Sequence, residues 1–284
     1  MIILNNKMVE MYSDKEGCIL IVAAGGGFPQ LETVVGCSLA LQEIGILRDP
    51  NIVYGRGTSA GAIGLTCLSR YNWDPLELHS IIWDNYDTKR DLVSLKFWWW
   101  LGLFKQGYSF YNRAGLEDML YDILGDTICL DVIVSATNST TLECDYFYGC
   151  RRSVLASSSI QKVFPATRIN SDLYWDGGYC DNVPMEAWLA NRFKKVYIIL
   201  PPKEKVSDGK WGVLNRFKRS FLAKLEQEVN EAERIFTKKD LYPNCVVLRP
   251  PPQENMNLLG WSKNLNLIET AKQYTKTKLT LERK

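Results

Sequence analysis

Histidine is almost missing from this chain. The 284 residues hold one, His79. It stands in the helix-like run Leu76-Glu77-Leu78-His79-Ser80-Ile81-Ile82, where we read a structural or surface role. With no second imidazole, histidine-rich metal sites are excluded. So is a triad in the order serine, acid, histidine, because its histidine must come late in the chain. The eight cysteines (18, 37, 67, 129, 144, 150, 180 and 245) include no C-x-x-C pair and offer no zinc spacing. Several sit inside apolar runs such as Cys18-Ile19-Leu20-Ile21-Val22, so they read as free thiols in a reducing compartment. No apolar stretch approaches the ~18 residues that span a bilayer. Met1 to Gly17 has no apolar core ahead of a cleavage site, so a signal peptide is not expected. Repeats and low-complexity segments are absent as well. These absences lead to an expectation of a soluble, cytoplasmic protein.

What is present suits a folded globular chain: 46% of residues are apolar and 23% charged. The net charge of +2 conceals an asymmetry. Residues 1–202 carry 17 Lys and Arg against 22 Asp and Glu, whereas residues 203–284 carry 17 against 10. A basic C-terminal third is either a solvated face or a surface for an anionic partner such as a membrane. Cys18 to Ala24 reads as a strand buried on both faces, followed by Gly25-Gly26-Gly27 and a helical pattern ending at Gly45. A second strand, glycine-rich turn and helix follow over Asn51 to Ser69. This β-α-β-α order predicts parallel strands joined by right-handed crossovers. Residues 74–125 read as mostly helical, with a helix start at Asp74-Pro75. Further strands are expected at Leu130–Ala136, Glu143–Tyr148, Tyr174-Trp175 and Val196–Leu200, with an edge strand at Cys245–Leu248. Helices are expected at Val154–Gln161, near Pro184, at Val213–Phe236 and over the polar tail 264–284.

The second turn is the chemical centre. Gly57-Thr58-Ser59-Ala60-Gly61 fits G-x-S-x-G, in which a serine stands on a sharp strand-to-helix turn and small flanking residues let strand and helix pass closely. Five residues alone fit a plain Gly/Ser turn equally well. A nucleophilic serine needs a base and donors for an oxyanion. With histidine removed from consideration, the base must be a carboxylate. Asp176, at the end of an aromatic strand and ahead of Gly177-Gly178, is best placed, although a D-G hairpin turn is the competing reading. Successive N–H groups of Gly25, Gly26 and Gly27 form an anion-binding concavity. A nucleotide loop is excluded there, since the third glycine of G-x-G-x-x-G is replaced by Gln30.

Taken together, these residues resemble the patatin-like phospholipases and lipid acyl hydrolases. The blocks are the glycine loop 25–27, Gly57-Thr58-Ser59-Ala60-Gly61, and Asp176-Gly177-Gly178-Tyr179-Cys180-Asp181-Asn182-Val183-Pro184. Ala156-Ser157-Ser158-Ser159 leading to Phe164-Pro165 is a weaker fourth. The resemblance implies a three-layer α/β/α sandwich with a mainly parallel sheet. It also implies Ser59 as nucleophile, Asp176 as its partner in a Ser–Asp dyad, and Gly25, Gly26 and Gly27 as the oxyanion hole, with Gly57 and Gly61 shaping the elbow. No metal or organic cofactor is implied, and nucleic acid is not an expected partner. The resemblance covers about residues 17–202, taken as the catalytic domain. Residues 1–16 then form an N-terminal extension, and 203–284 a mainly helical region packed on the same domain. The sequence departs from the family pattern in two places: Pro29 and Gln30 replace a basic residue and a glycine, and Gln161 replaces a proline of the fourth block.

Two functions fit this sequence. The first is a serine hydrolase of acyl esters in membrane lipids, a phospholipase A or nonspecific esterase. The second is a lipid-binding or regulatory relative that kept the scaffold without the activity, which the substitutions at 29 and 30 motivate. Trp98-Trp99-Trp100, between Lys96 and Lys105, suits a bilayer interface and equally suits a lid or core patch. Likewise, the amphipathic stretch 213–236 suits core packing or a membrane or dimer face.

Overall fold

The computed structural model describes Tyr12 and residues 15–85, 94–95, 109, 111–202, 213–251 and 265–282. Trp98, Trp99 and Trp100 lie outside the described residues, so the reading made of them is carried by sequence alone. Ten strands are described: β1 (Ile19–Ala23), β2 (Val53–Gly57), β3 (Ser94–Leu95), β4 (Tyr111–Asn112), β5 (Ile128–Asn138), β6 (Cys144–Cys150), β7 (Thr167–Ile169), β8 (Asp172–Asp176), β9 (Lys195–Ile199) and β10 (Cys245–Leu248). Eight helices accompany them: α1 (Gly27–Glu43), α2 (Ala60–Arg70), α3 (Pro75–Asn85), α4 (Ala114–Leu124), α5 (Arg151–Ser157), α6 (Ala187–Ala190), α7 (Val213–Phe236) and α8 (Leu265–Glu282).

The main sheet runs β10-β9-β1-β2-β5-β8-β7, with β6 also paired to β5. From β10 to β5 every pairing is parallel, as the alternating strand–helix order predicts. Beyond β5 the sheet turns antiparallel through β6, β8 and β7. Short turns join β5 to β6 and β7 to β8, which antiparallel pairing permits, whereas α5 lies between β6 and β7. The described residues of 74–125 are mostly helical, as expected, through α3 and α4, and β3 and β4 add a short antiparallel pair between those helices. Two-residue strands leave no periodicity to read.

Alternation along the central strands produces two cores. Ile19, Ile21 and Ala23 of β1 face one cluster, with Leu31, Val34 and Val35 of α1, Leu65 and Leu68 of α2, and Ile268 and Ala271 of α8. Leu20 and Val22 face the other, with Val229, Ala232 and Phe236 of α7. The architecture is therefore a mixed α/β sandwich with helices on both faces of the sheet. The described side chains of the 213–236 stripe pack into the core. The tail expected to be polar does the same: Leu267, Ile268, Ala271 and Leu279 of α8 are buried. Its backbone approaches so closely that a Cβ on Gly36 would lie 2.4 Å from the Ile268 carbonyl oxygen. At the end of α1, Gly45 has φ +82°, and its N–H and that of Ile46 close the helix on Gln42 and Leu41. This is the glycine-terminated end that the sequence predicts.

One expectation about the cysteines is corrected. Cys144 and Cys180 form a disulfide, Cα–Cα 5.5 Å, across 36 residues. Cys18, Cys37, Cys67, Cys129, Cys150 and Cys245 are not disulfide-bonded. A pairing between the start of β6 and a distant loop has no spacing rule to reveal it.

Candidate active site

The first part of the site is the turn between β2 and α2. β2 ends at Gly57, and Ser59 takes φ 53°, ψ −123°, a strained conformation for a residue with a side chain. The turn is held in place from several sides. Thr58 N–H donates to the Ala23 carbonyl (3.1 Å), and Gly61 and Ala62 N–H groups close onto the Thr58 carbonyl. Ser59 N–H donates to Ser157 Oγ at 2.8 Å. The predicted room around the turn is real. A Cβ on Gly61 would sit 2.4 Å from the Ala23 carbonyl oxygen, and one on Gly57 2.7 Å from the Ala62 backbone. Strand and helix thus cross in van der Waals contact, and the serine is thrust off the end of the sheet.

Asp176 comes from the antiparallel side. It ends β8, opposite Ala136 of β5. Its N–H is given to the Ser159 carbonyl (2.9 Å), and its own carbonyl receives Thr137 Oγ1–H (2.7 Å). The block Ala156 to Ser159 therefore braces both halves: Ser157 holds the Ser59 amide and Ser159 holds Asp176. Asp176 Oδ1 accepts the Gly178 N–H at 2.8 Å, while Oδ2 is buried with no hydrogen-bond partner. The Ser59 hydroxyl lies close enough to draw the carboxyl pKa down, but no hydrogen bond of regular geometry joins the two. The two side chains are in near contact. Burial dominates the net result and lifts the Asp176 pKa from 3.8 to about 7. Ser59 is 7% and Asp176 2% exposed, so the pair is nearly dry.

The glycine loop meets this pair with one change from expectation. Gly25 does not present a free donor, because its N–H is given to the Asn182 carbonyl at 3.1 Å. Gly26 and Gly27 stand at the N-terminus of α1, where the first amides have no intrahelical acceptor. Sequence reasoning overlooked Ala60, whose N–H is likewise at the first helical position beside the serine. Of the two departures in the loop, Pro29 fits the first turn of α1, where a missing N–H costs nothing. Gln30 is fully buried and donates from Nε2 to the Ile199 carbonyl (2.9 Å), tying α1 to β9.

A buried polar strut lies beneath the site, and the sequence carried no signal of it. Arg56, three residues before Ser59 and fully buried, pairs with Glu186 and stacks 5.2 Å from the Tyr146 ring. Tyr146 donates to Asp181 Oδ2 (2.9 Å), and Thr58 Oγ1–H is given to the Asp181 carbonyl (2.8 Å). The elbow and the Asp176 loop are thereby locked to each other. His79 is half-buried on α3 and is not among the groups that shift Asp176. Among the described residues, no group of three or more His, Cys, Asp or Glu is placed to hold a metal ion, and no helix is long and apolar enough to cross a membrane.

Fold and site define an α/β protein with a serine on a strained strand–helix turn facing a buried carboxylate. The chain belongs to the patatin-like phospholipase family, whose model matches residues 39–189. Lipid hydrolysis is the activity that this family carries in its description. No curated protein matches the chain by sequence. Among solved structures, VipD from Legionella pneumophila is similar at TM-score 0.52 and 15% identity, over 94% of this chain and 66% of that one. That is a likeness of fold. The heterodimeric ExoU–SpcU complex of the Pseudomonas aeruginosa type III secretion system aligns at TM-score 0.35 and 13% identity, over 95% of this chain and 52% of that one. The chain thus spans just under two thirds of the first structure and about half of the second.

Proposed function

We propose that the protein is a serine lipid acyl hydrolase, a phospholipase A or nonspecific acyl esterase, that works through a Ser59–Asp176 dyad. The observation that carries this reading is the buried, nearly unpartnered Asp176 carboxylate beside a serine held in a strained turn. A carboxylate with a pKa of about 7 is far better matched to accepting a hydroxyl proton than an ordinary one. Ser59 Oγ attacks the ester carbonyl carbon while its proton passes to Asp176. The oxyanion that forms is held by N–H groups at the start of α1 and α2. The tetrahedral species then collapses, the carbon–oxygen bond to the alcohol breaks, and Asp176 returns its proton to the leaving oxygen. Water repeats the sequence on the acyl-enzyme: its proton goes to Asp176, its oxygen bonds to the acyl carbon, and Ser59 regains a proton as the fatty acid departs. Dryness supports this chemistry, because fixed dipoles replace water around the developing charge.

Acyl esters of membrane lipids are the proposed substrates, a choice supported by the family's description as phospholipases. Contact with a membrane surface through Trp98, Trp99 and Trp100 is part of the proposal, as is residence in the cytoplasm. The Cys144–Cys180 disulfide weighs against a reducing compartment, and thiol labelling of protein taken directly from cells decides that point. For the activity, wild type and Ser59→Ala are compared on phospholipid vesicles and on a soluble ester, with a fluorophosphonate probe as a second readout. Stoichiometric labelling of Ser59 and loss of turnover in the variant are expected. Equal turnover by both proteins would sink the dyad. Vesicle binding without labelling would favour the lipid-binding alternative.

A further inference from the structure

Asn182 is 1% exposed, and neither its Oδ1 nor its Nδ2 has a hydrogen-bond partner. A buried amide left empty on both ends is costly and calls for an explanation. Its backbone, by contrast, is fully occupied. The N–H is given to Glu228 Oε2 of α7 (3.1 Å), and the carbonyl receives the Gly25 N–H (3.1 Å). The side chain is therefore pinned in place without being used.

Its location is informative. The point where a Cβ on Gly25 would stand is 2.5 Å from Asn182 Oδ1 and 3.2 Å from Ser59 Cβ. The corresponding point on Gly178 is 3.0 Å from Asp176 Oδ1 and 3.2 Å from Asn182 Oδ1. The Oδ1 end of the amide thus fills the space between the glycine loop, the nucleophile and the carboxylate, and a half-turn of the amide plane brings the equally unpartnered Nδ2 there in its place. The same residue that removes Gly25 as a donor, through its carbonyl, brings an unused amide to that spot. The Asp176 carboxyl keeps Oδ2 free of hydrogen bonds, so nothing in the loop already claims the Asn182 N–H groups.

We propose that Asn182 is a further catalytic residue, its side-chain N–H donating to the oxyanion of the substrate carbonyl in place of the Gly25 amide. The inference rests on the Ser59–Asp176 reading. An Asn side chain is a competent donor to a tetrahedral oxyanion, and the loss of one such donor lowers kcat by about 10²–10³-fold. Because both the acylation and the deacylation intermediates carry the same oxyanion, both steps depend on it.

The test uses Asn182→Ala and Asn182→Leu of the full chain with a p-nitrophenyl ester, plus Asn182→Ser, which keeps a small donor. Expected in Ala and Leu is a kcat loss of about 10²–10³-fold with KM changed by less than about threefold. Acylation and deacylation rates from single turnovers should fall together, with Ser in between and the pH midpoint unmoved. Thermal melting confirms that the variants are folded. Several results would overturn the assignment. These are kcat within about threefold of wild type in folded Ala and Leu variants, slowing of deacylation alone (a water-holding role), or a loss explained by a shifted pH midpoint. Failure of all three variants to fold would show a purely structural residue. Fluorophosphonate labelling of wild type keeps the two readings apart. An unlabelled Ser59 defeats the dyad itself, whereas a labelled Ser59 with indifferent Asn182 variants defeats only this inference.

Discussion

Asp176 and Asp181 begin and nearly end one loop, the first buried and the second half-buried, and they stand in opposite company. Asp181 receives the Tyr146 hydroxyl and faces the Arg56 guanidinium, which faces Glu186 in turn. Burial lifts its pKa, and those two partners oppose the rise. Asp176 has one backbone N–H and a loosely placed serine hydroxyl, and no cation among the groups that shift it. One end of the loop is a strut and the other carries the proposed base. The difference is the number of partners, since desolvation alone makes a carboxylate eager for a proton and a neighbouring charge satisfies it. The fold therefore withholds from Asp176 the partners that it gives to Asp181.

The comparison can be broken most directly at the reactive end. Ser59→Ala and Asp176→Asn should each lower kcat by about 10⁴-fold or more, measured on a soluble ester. Asp176→Asn should also raise the melting temperature at pH 8. The folded carboxyl is raised to about 7 from 3.8, so wild type holds its full stability below the lower value and loses it as pH rises through the higher. The variant escapes that loss, and its advantage should fade as pH falls towards 4. A variant less stable than wild type at pH 8 would contradict the account.

At the strut end the sign reverses. Arg56→Met leaves Glu186 and Asp181 without their buried cation and should destabilise by about 3–5 kcal/mol in urea unfolding, with activity lost only as the fold is lost. Should Arg56→Met prove as stable as wild type, the strut reading fails. Next comes the disulfide that anchors this loop to β6. Closing 36 residues corresponds to about 2–4 kcal/mol, so Cys144→Ser with Cys180→Ser should lower the free energy of unfolding by that amount in urea titration. The smallest effect is the pH profile. Activity in wild type should rise about tenfold per pH step below a midpoint near 7 and level off above it, because the base must be ionised. A flat profile from pH 5 to 8 would remove Asp176 from the role.

Much of this was legible before any coordinates. The β1-α1-β2-α2 order, the helix end at Gly45, the edge strand Cys245–Leu248 and the α7 stripe all appear where residue patterns place them. So do Ser59 at its turn and Asp176 at a strand end. The missing histidine directed attention to a carboxylate. Such features are local: periodicity, capping and steric room are set by residues within a turn or two of one another.

Ser59 and Asp176 illustrate the boundary. Their identities and local conformations belong to the chain, since a G-x-S-x-G turn and an Asp before two glycines carry their own steric logic. Their meeting belongs to the fold, because β5 brings the parallel and antiparallel halves of the sheet side by side. Only tertiary structure decided that Gly25 braces Asn182, that Arg56 is buried against Glu186, that Cys144 reaches Cys180 and that the polar-looking tail lies on α1. Each of these joins residues far apart in sequence, where burial and unpaired polar atoms are consequences of packing and leave no pattern in the chain to read.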